Sequence, residues 1–151
     1  MKLINLYREK TMKILAIGLV LFALVSCGGP SSVSITIQPD GNNMAYLTKE
    51  FTVKAGQEVV LTMDNTATQE VMKHNIVILS DKSKVNEIGM AALKAENYLP
   101  DHPAIIAATA MADAGAKSEV TFTAPSEPGE YTYICTYPGH YAMMQGVMIV
   151  K

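Results

Sequence analysis

The chain has 151 residues, which suffices for one domain with its own core and, once a leader is set aside, leaves no room for a second. Its 12 Lys and Arg against 14 Asp and Glu give a formal net charge of −2, which speaks for solubility and against a nucleic-acid partner. Two Cys and three His exclude a four-cysteine iron–sulfur cluster and any multicopper enzyme that needs a larger set of histidines.

The first segment reads as an export signal. Met12-Lys-Ile-Leu-Ala-Ile-Gly-Leu-Val-Leu-Phe-Ala-Leu-Val-Ser26 has a short basic start and an apolar run too short to span a bilayer comfortably. Its end, Leu24-Val-Ser-Cys27, resembles a bacterial lipobox, so residues 1–26 are expected to be a lipoprotein signal peptide. Cys27 is then the acylated first residue of the mature chain, anchoring it to a membrane on the periplasmic or cell-surface side. Met12 opens a more typical signal than Met1, so the first eleven residues read as an extension or a longer basic region. Lys2, Arg8, Lys10 and Lys13 fall in this leader with only Glu9 against them, which leaves the remainder more acidic than the whole. Residues 27–32, with Gly28-Gly-Pro-Ser-Ser32, form a flexible tether.

Residues 33–151 are expected to form one all-β domain. Val33-Ser-Ile-Thr-Ile37 alternates, as does the run around Phe51-Thr-Val53, and Glu58 to Met63 is a further strand. Val120 to Thr123, Gly129 to Cys135 and Gly146 to Val150 supply the later strands, with turn signals at Gly41-Asn42, Ala55-Gly56 and Pro128-Gly129. Strands at this spacing without alternating helices point to a Greek-key β-sandwich.

The exception lies between Ser80 and Lys117. Val85, Ile88, Gly89, Ala92 and Leu93 fall at helical spacing behind Asp81 or Ser83 as caps, which predicts a short helical insertion around residues 83–95. Ile105 to Met111 is read as a strand. His102, between Asp101 and Pro103, is expected to be a solvent-exposed loop residue.

The chemistry concentrates near the C-terminus. Cys135-Thr-Tyr-Pro-Gly-His140-Tyr-Ala-Met-Met144 sets a thiolate, an imidazole and two thioethers within ten residues, between two strand-like runs. Two His and one Cys around a weak axial Met are the ligands of a blue copper centre. Soft sulfur donors favour copper over magnesium, calcium or manganese, and one Cys in the region argues against a structural zinc site or a binuclear copper site with bridging thiolates. The second His has to come from elsewhere. His74, at the head of the apolar stretch His74-Asn-Ile-Val-Ile-Leu79, is a better choice than His102.

On these residues the segment from Val120 to Lys151 resembles the azurin and auracyanin group of the cupredoxins. Their ligand loop has the form Cys-Thr-Phe-Pro-Gly-His, three residues, then the axial Met; here Tyr137 stands for the Phe. Glu50 to Met63 and Gly89 to Leu93 are also similar to that group. The resemblance implies a cupredoxin-like fold and one type 1 copper, held by His74, Cys135, His140 and Met144 rather than Met143. It implies that Asn75 is a hydrogen-bonding residue tying the two ligand loops together. It also implies a weak backbone carbonyl contact from the residue before the first His, which is Lys73 here where azurins have Gly. Azurins carry a disulfide near the N-terminus, for which this chain has no cysteine left.

A ligand set acceptable to Cu(I) and Cu(II) and held by a rigid scaffold suits electron transfer, while a filled ligand sphere does not suit catalysis at the metal. The expected function is therefore a non-enzymatic shuttle of single electrons between redox proteins outside the cytoplasm, such as a cytochrome, an oxidase or a reductase, acting as a monomer. In the family, the loop edge at Pro138, Gly139 and Met143 is part of a flat docking patch around the second His. A copper-binding delivery or buffering protein is the alternative that ten Met keep open, although they are scattered rather than clustered.

Overall fold

The computed structural model describes residues 31–151. The signal segment at 1–26 and the first four residues of the tether, Cys27 among them, lie outside them. Alternation builds two sheets, as the sequence predicts. The smaller one contains β1 (Val33–Ile37), β3 (Glu58–Asp64) and β6 (Lys117–Thr123) in the order β1-β3-β6. The larger contains β2 (Glu50–Val53), β4 (Val77–Leu79), β5 (Ile105–Ala108), β7 (Gly129–Ile134) and β8 (Gln145–Val150) in the order β2-β8-β7-β4-β5. β1 runs parallel to β3 and β2 parallel to β8, and the other pairings are antiparallel. The chain crosses repeatedly from one sheet to the other, which gives the sandwich its Greek-key character.

Every second residue of these strands enters the main core. Ile37, Val59, Leu61 and Met63 from the smaller sheet share it with Phe51, Val53, Tyr133, Met148 and Val150 from the larger, with Tyr46 and Cys135 in the same cluster. A second, smaller core lies on the other side of the larger sheet, built from Val77, Leu79, Ile88, Ala104 and Ile134. β4 is thus buried on both faces, with Ile76 and Ile78 toward the main core and Val77 and Leu79 toward the second. This is the physical reason that His74 to Leu79 reads as a continuous apolar run rather than an alternating one.

The insertion covers the second core with α1 (Val85–Ala92), whose Ile88, Gly89 and Ala92 are buried. It is shorter than the predicted 83–95, because a 3-10 turn precedes it at Lys82–Lys84 and another follows at Glu96–Tyr98. Asp81 caps the 3-10 turn, its Oδ1 accepting the Ser83 N–H at 2.8 Å, whereas α1 itself starts behind Lys84 with no side-chain cap. Leu93, counted on the apolar face, falls past the helix end and is exposed. The strand expected over 105–111 stops at Ala108: the Thr109 N–H still donates to Ile76 O, but the Ile76 N–H donates to the Thr109 hydroxyl instead of a main-chain carbonyl. His102 is a further correction: it is half-buried, with Nε2 3.0 Å from Glu87 Oε1 on α1 and Nδ1 accepting the Ala104 N–H. Its role is to pin the loop to the helix.

Candidate metal centre

The site lies at the end of the sandwich where β4 begins and β7 ends. Cys135 follows the last residue of β7, and its side chain belongs to the main core because Ile134 before it faces the second one. Tyr137-Pro138-Gly139-His140 then folds back: the His140 N–H donates to Tyr137 O at 2.9 Å, with Gly139 at φ +83°. Proline at the second position and a left-handed glycine at the third are the requirements of a type II turn, so sequence chemistry dictates this reversal. The N–H groups of Met143 and Met144 both return to His140 O, and Cys135 N–H donates to Met144 O at 3.1 Å. The loop is therefore closed on itself by main-chain hydrogen bonds.

His74 arrives from the other side of the larger sheet's rim. Its N–H and C=O exchange hydrogen bonds with Ala112, at 3.1 and 2.8 Å. Asn65, fully buried, donates through Nδ2 to Met72 O and Ala112 O and so fixes both sides of this bridge. Tyr46 donates its hydroxyl to Asn75 O. Asn65 and Tyr46 were not singled out from the sequence, where nothing in their local context distinguishes them from ordinary strand-end and loop residues. Asn75 does tie the loops: its Nδ2 donates to Thr136 Oγ1 and its Oδ1 accepts the Thr136 N–H, each at 2.8 Å. Lys73 turns its side chain outward to Asp113, 2.7 Å away.

These supports bring His74, Cys135 and His140 together. Cys135 Sγ lies 3.8 Å from His74 Nδ1 and 3.7 Å from His140 Nδ1, and the three donor atoms fall within 4.8 Å of one another. All three residues are buried, as is Met144. The sulfur–nitrogen distances are long for good hydrogen bonds. They fit a shared metal: in a trigonal plane with metal–nitrogen bonds of about 2.0 Å and a metal–sulfur bond of about 2.3 Å, the N···S edge is about 3.7 Å. Among the described residues, His74 Nε2 is buried without a hydrogen-bond partner, so packing holds this ring. His102 is not part of the cluster.

Electrostatics point the same way. Burial pushes the Cys135 thiol up to about 11, overriding the backbone N–H groups of Asn75 and Tyr137 that favour its thiolate. Burial, with His140 as a lesser cause, brings the His74 imidazole down to about 4, and burial lowers His140 as well. The metal-free centre is thus a neutral thiol between two neutral imidazoles at neutral pH. A cation that replaces the thiol proton gains two ready nitrogen donors, and its binding releases a proton.

Comparison with known proteins places these features in a family. The model of the copper-binding proteins of the plastocyanin/azurin family matches residues 33–151. Auracyanin-A of Chloroflexus aurantiacus is 37% identical over 146 residues, covering 85% of this chain and 88% of that protein. Outer membrane protein H.8 of Neisseria gonorrhoeae is 35% identical over 111 residues, covering 70% of this chain and 61% of that one. The crystal structure of dithionite-reduced auracyanin from the photosynthetic bacterium Roseiflexus castenholzii superposes with a TM-score of 0.72 at 44% identity, covering 80% of this chain and 98% of the other.

Proposed function

Because this chain belongs to the plastocyanin/azurin family of copper-binding proteins, we propose that it is a type 1 blue copper electron-transfer protein. The observation that carries the proposal is the placement of Cys135 Sγ at nearly equal distances from His74 Nδ1 and His140 Nδ1 in a buried site. His74, Cys135 and His140 would hold the copper, with Met144 as a weaker thioether donor and the Lys73 carbonyl as a further weak contact. Copper, when bound, supplies a one-electron couple. The protein's part is to hold the donors nearly still: the Asn75–Thr136 pair, the His74–Ala112 bridge and the closed Cys135–Met144 loop all resist rearrangement when the charge changes. A sphere of four protein ligands leaves no open position for substrate, which favours a carrier over an enzyme. Enclosure of the donor atoms likewise favours a carrier over a delivery protein.

His140 is 4% exposed, and the loop beside it presents Gly139 and a Met143 that is 66% exposed, with Pro138 half-buried. An exposed apolar side chain at this edge supports a docking patch for a redox protein, through which the electron meets the imidazole. The lipobox ending in Cys27, together with the outer-membrane name of one relative, supports a chain tethered by lipid on the extracytoplasmic side, with residues 33–151 as the functional domain. Titration of the metal-free protein with Cu(II) is the test. One equivalent should give an intense blue colour that a one-electron reductant bleaches and an oxidant restores. Colourless binding, or colour lost irreversibly on reduction, would end the proposal.

A further inference from the structure

Two tyrosines flank the His140 region, and each enters a different core. Tyr137 packs against the main core and meets the His140 ring edge-on, with centroids 5.0 Å apart. Tyr141, peptide-bonded to His140, packs against the second core beneath α1. There it meets Gly89. A Cβ built on Gly89 would lie 2.3 Å from Tyr141 Cγ, 2.4 Å from Cδ1 and 2.5 Å from Cδ2. Distances this short are not tolerated, and the atoms concerned are the root of a rigid ring rather than the end of a flexible chain. Ring and helix can occupy this arrangement only if residue 89 has no side chain.

Nothing local asks for glycine at this position. Gly89 sits within α1 and is not among the residues of positive φ, so an L-residue could adopt its backbone conformation. Glycine is a poor helix former, and alanine would be favoured there on propensity alone. The helix therefore gives up intrinsic stability at residue 89 and gains a seat for the aromatic ring.

We infer that Gly89 and Tyr141 form a lock through which α1 positions the metal loop. The ring fixes one side of the His140 backbone from the second core, as Tyr137 fixes the other from the main core. The lock is continuous with the loop's own hydrogen bonds: Tyr141 O accepts from Gln145 Nε2 at 2.8 Å, while the N–H groups of Met143 and Met144 return to His140 O at 3.0 and 2.8 Å. Gly89 and Tyr141 are positioning residues, acting on the ligand through its backbone. The contact stands on the packing alone; its consequence for the metal rests on His140 being a ligand.

Amide hydrogen exchange in the metal-free protein tests the lock without reference to copper. Gly89→Ala should speed exchange at Met143 and Met144 about tenfold while leaving the β7 and β8 amides unchanged. Tyr141→Ala should do the same and Tyr141→Phe should not, since Phe keeps the ring. In the Tyr141→Ala background, Gly89→Ala should add nothing. An equal effect of Gly89→Ala in both backgrounds, or loop exchange unaltered by either single change, overturns the inference. If Gly89→Ala fails to fold, Tyr141→Ala against Tyr141→Phe decides, and equal loop exchange in those two overturns it. Wild-type protein that never turns blue would sink the proposed function while leaving the exchange result standing.

Discussion

Asn75 and Thr136 hold each other by two hydrogen bonds of 2.8 Å, one from each partner, with both residues buried. Each follows a sulfur or nitrogen donor in sequence, Asn75 after His74 and Thr136 after Cys135. The pair therefore joins two ligand loops that are 61 residues apart in the chain. A buried amide that satisfies both a hydroxyl and a main-chain N–H is costly to remove, because its partners are left without water.

Asn75→Ala should destabilise the metal-free protein by about 3 kcal/mol, since it orphans the Thr136 N–H and hydroxyl together. Thr136→Ala should cost less, about 2 kcal/mol, because it orphans only Asn75 Nδ2 while the main-chain N–H keeps the Asn75 acceptor. Denaturant unfolding of the two variants checks this. Equal losses would mean that the main-chain bond carries little.

Cys135→Ser should abolish the blue absorption while the metal-free domain still folds, as the two cores are complete without the metal. His74→Gly and His140→Gly should open the site to external imidazole. Visible spectra of the three copper-treated variants are the measurement; a blue Cys135→Ser protein, or glycine variants that imidazole cannot restore, would contradict the ligand set.

Met144 is buried and Met143 exposed, which separates their roles. Met144→Gln should lower the reduction potential, because the axial ligand tunes it. Met143→Lys should slow self-exchange several-fold, by placing a charge in a small redox interface, and should leave colour and potential nearly unchanged. Voltammetry and exchange kinetics distinguish them. The opposite pattern would assign the axial position to Met143.

The stability of the metal-free protein should be greatest between about pH 6.5 and 9. Below pH 6.5 the unfolded chain takes up a proton on His74 that burial in the folded protein refuses until about pH 4, so stability falls as pH drops through that window. His140, lowered by burial, acts in the same direction. Above pH 9 the unfolded chain releases the Cys135 proton that the folded protein keeps to about 11, so stability falls again. Unfolding free energy measured across pH 4 to 11 tests both limbs, and Cys135→Ser should delay the alkaline fall from about pH 9 to about pH 10, where the buried Tyr46 and Tyr133 hydroxyls, both pushed up by burial, begin to act in the same way.

Cys27→Ala should block lipid attachment, so that the protein persists as a full-length precursor or is released in soluble form. Mass spectrometry of the native membrane fraction checks it. An unmodified thiol at residue 27 in the mature protein would refute the tether.

Much of the fold was legible because alternation is a local property. Val33 to Ile37 is β1 as read, the runs at Phe51, Glu58 and Gly146 each lie within an observed strand, and the one at Gly129 outruns β7 only by Cys135. The reversal at Tyr137-Pro-Gly-His140 is just as local, since a type II turn depends on four adjacent residues, although it is not among the turn signals taken from the sequence above. Strand ends were less so. The strand at Ile105 stops when Thr109 finds Ile76, and that pairing depends on a partner 33 residues away.

By itself the sequence determined the donor chemistry: one thiolate in the region, an imidazole five residues on and a thioether four beyond that, between strands whose pattern calls for a sandwich. Only the tertiary structure decided which groups hold them. Asn65 under the His74–Ala112 bridge, His102 on Glu87 and Tyr141 on Gly89 each join segments that no local pattern pairs with one another. A local pattern records which face of a strand or helix is apolar, because that depends on neighbours at fixed spacing. Which buried polar atom meets which carbonyl, and which ring needs the space of a missing side chain, depends on how the two sheets and the helix close over one another.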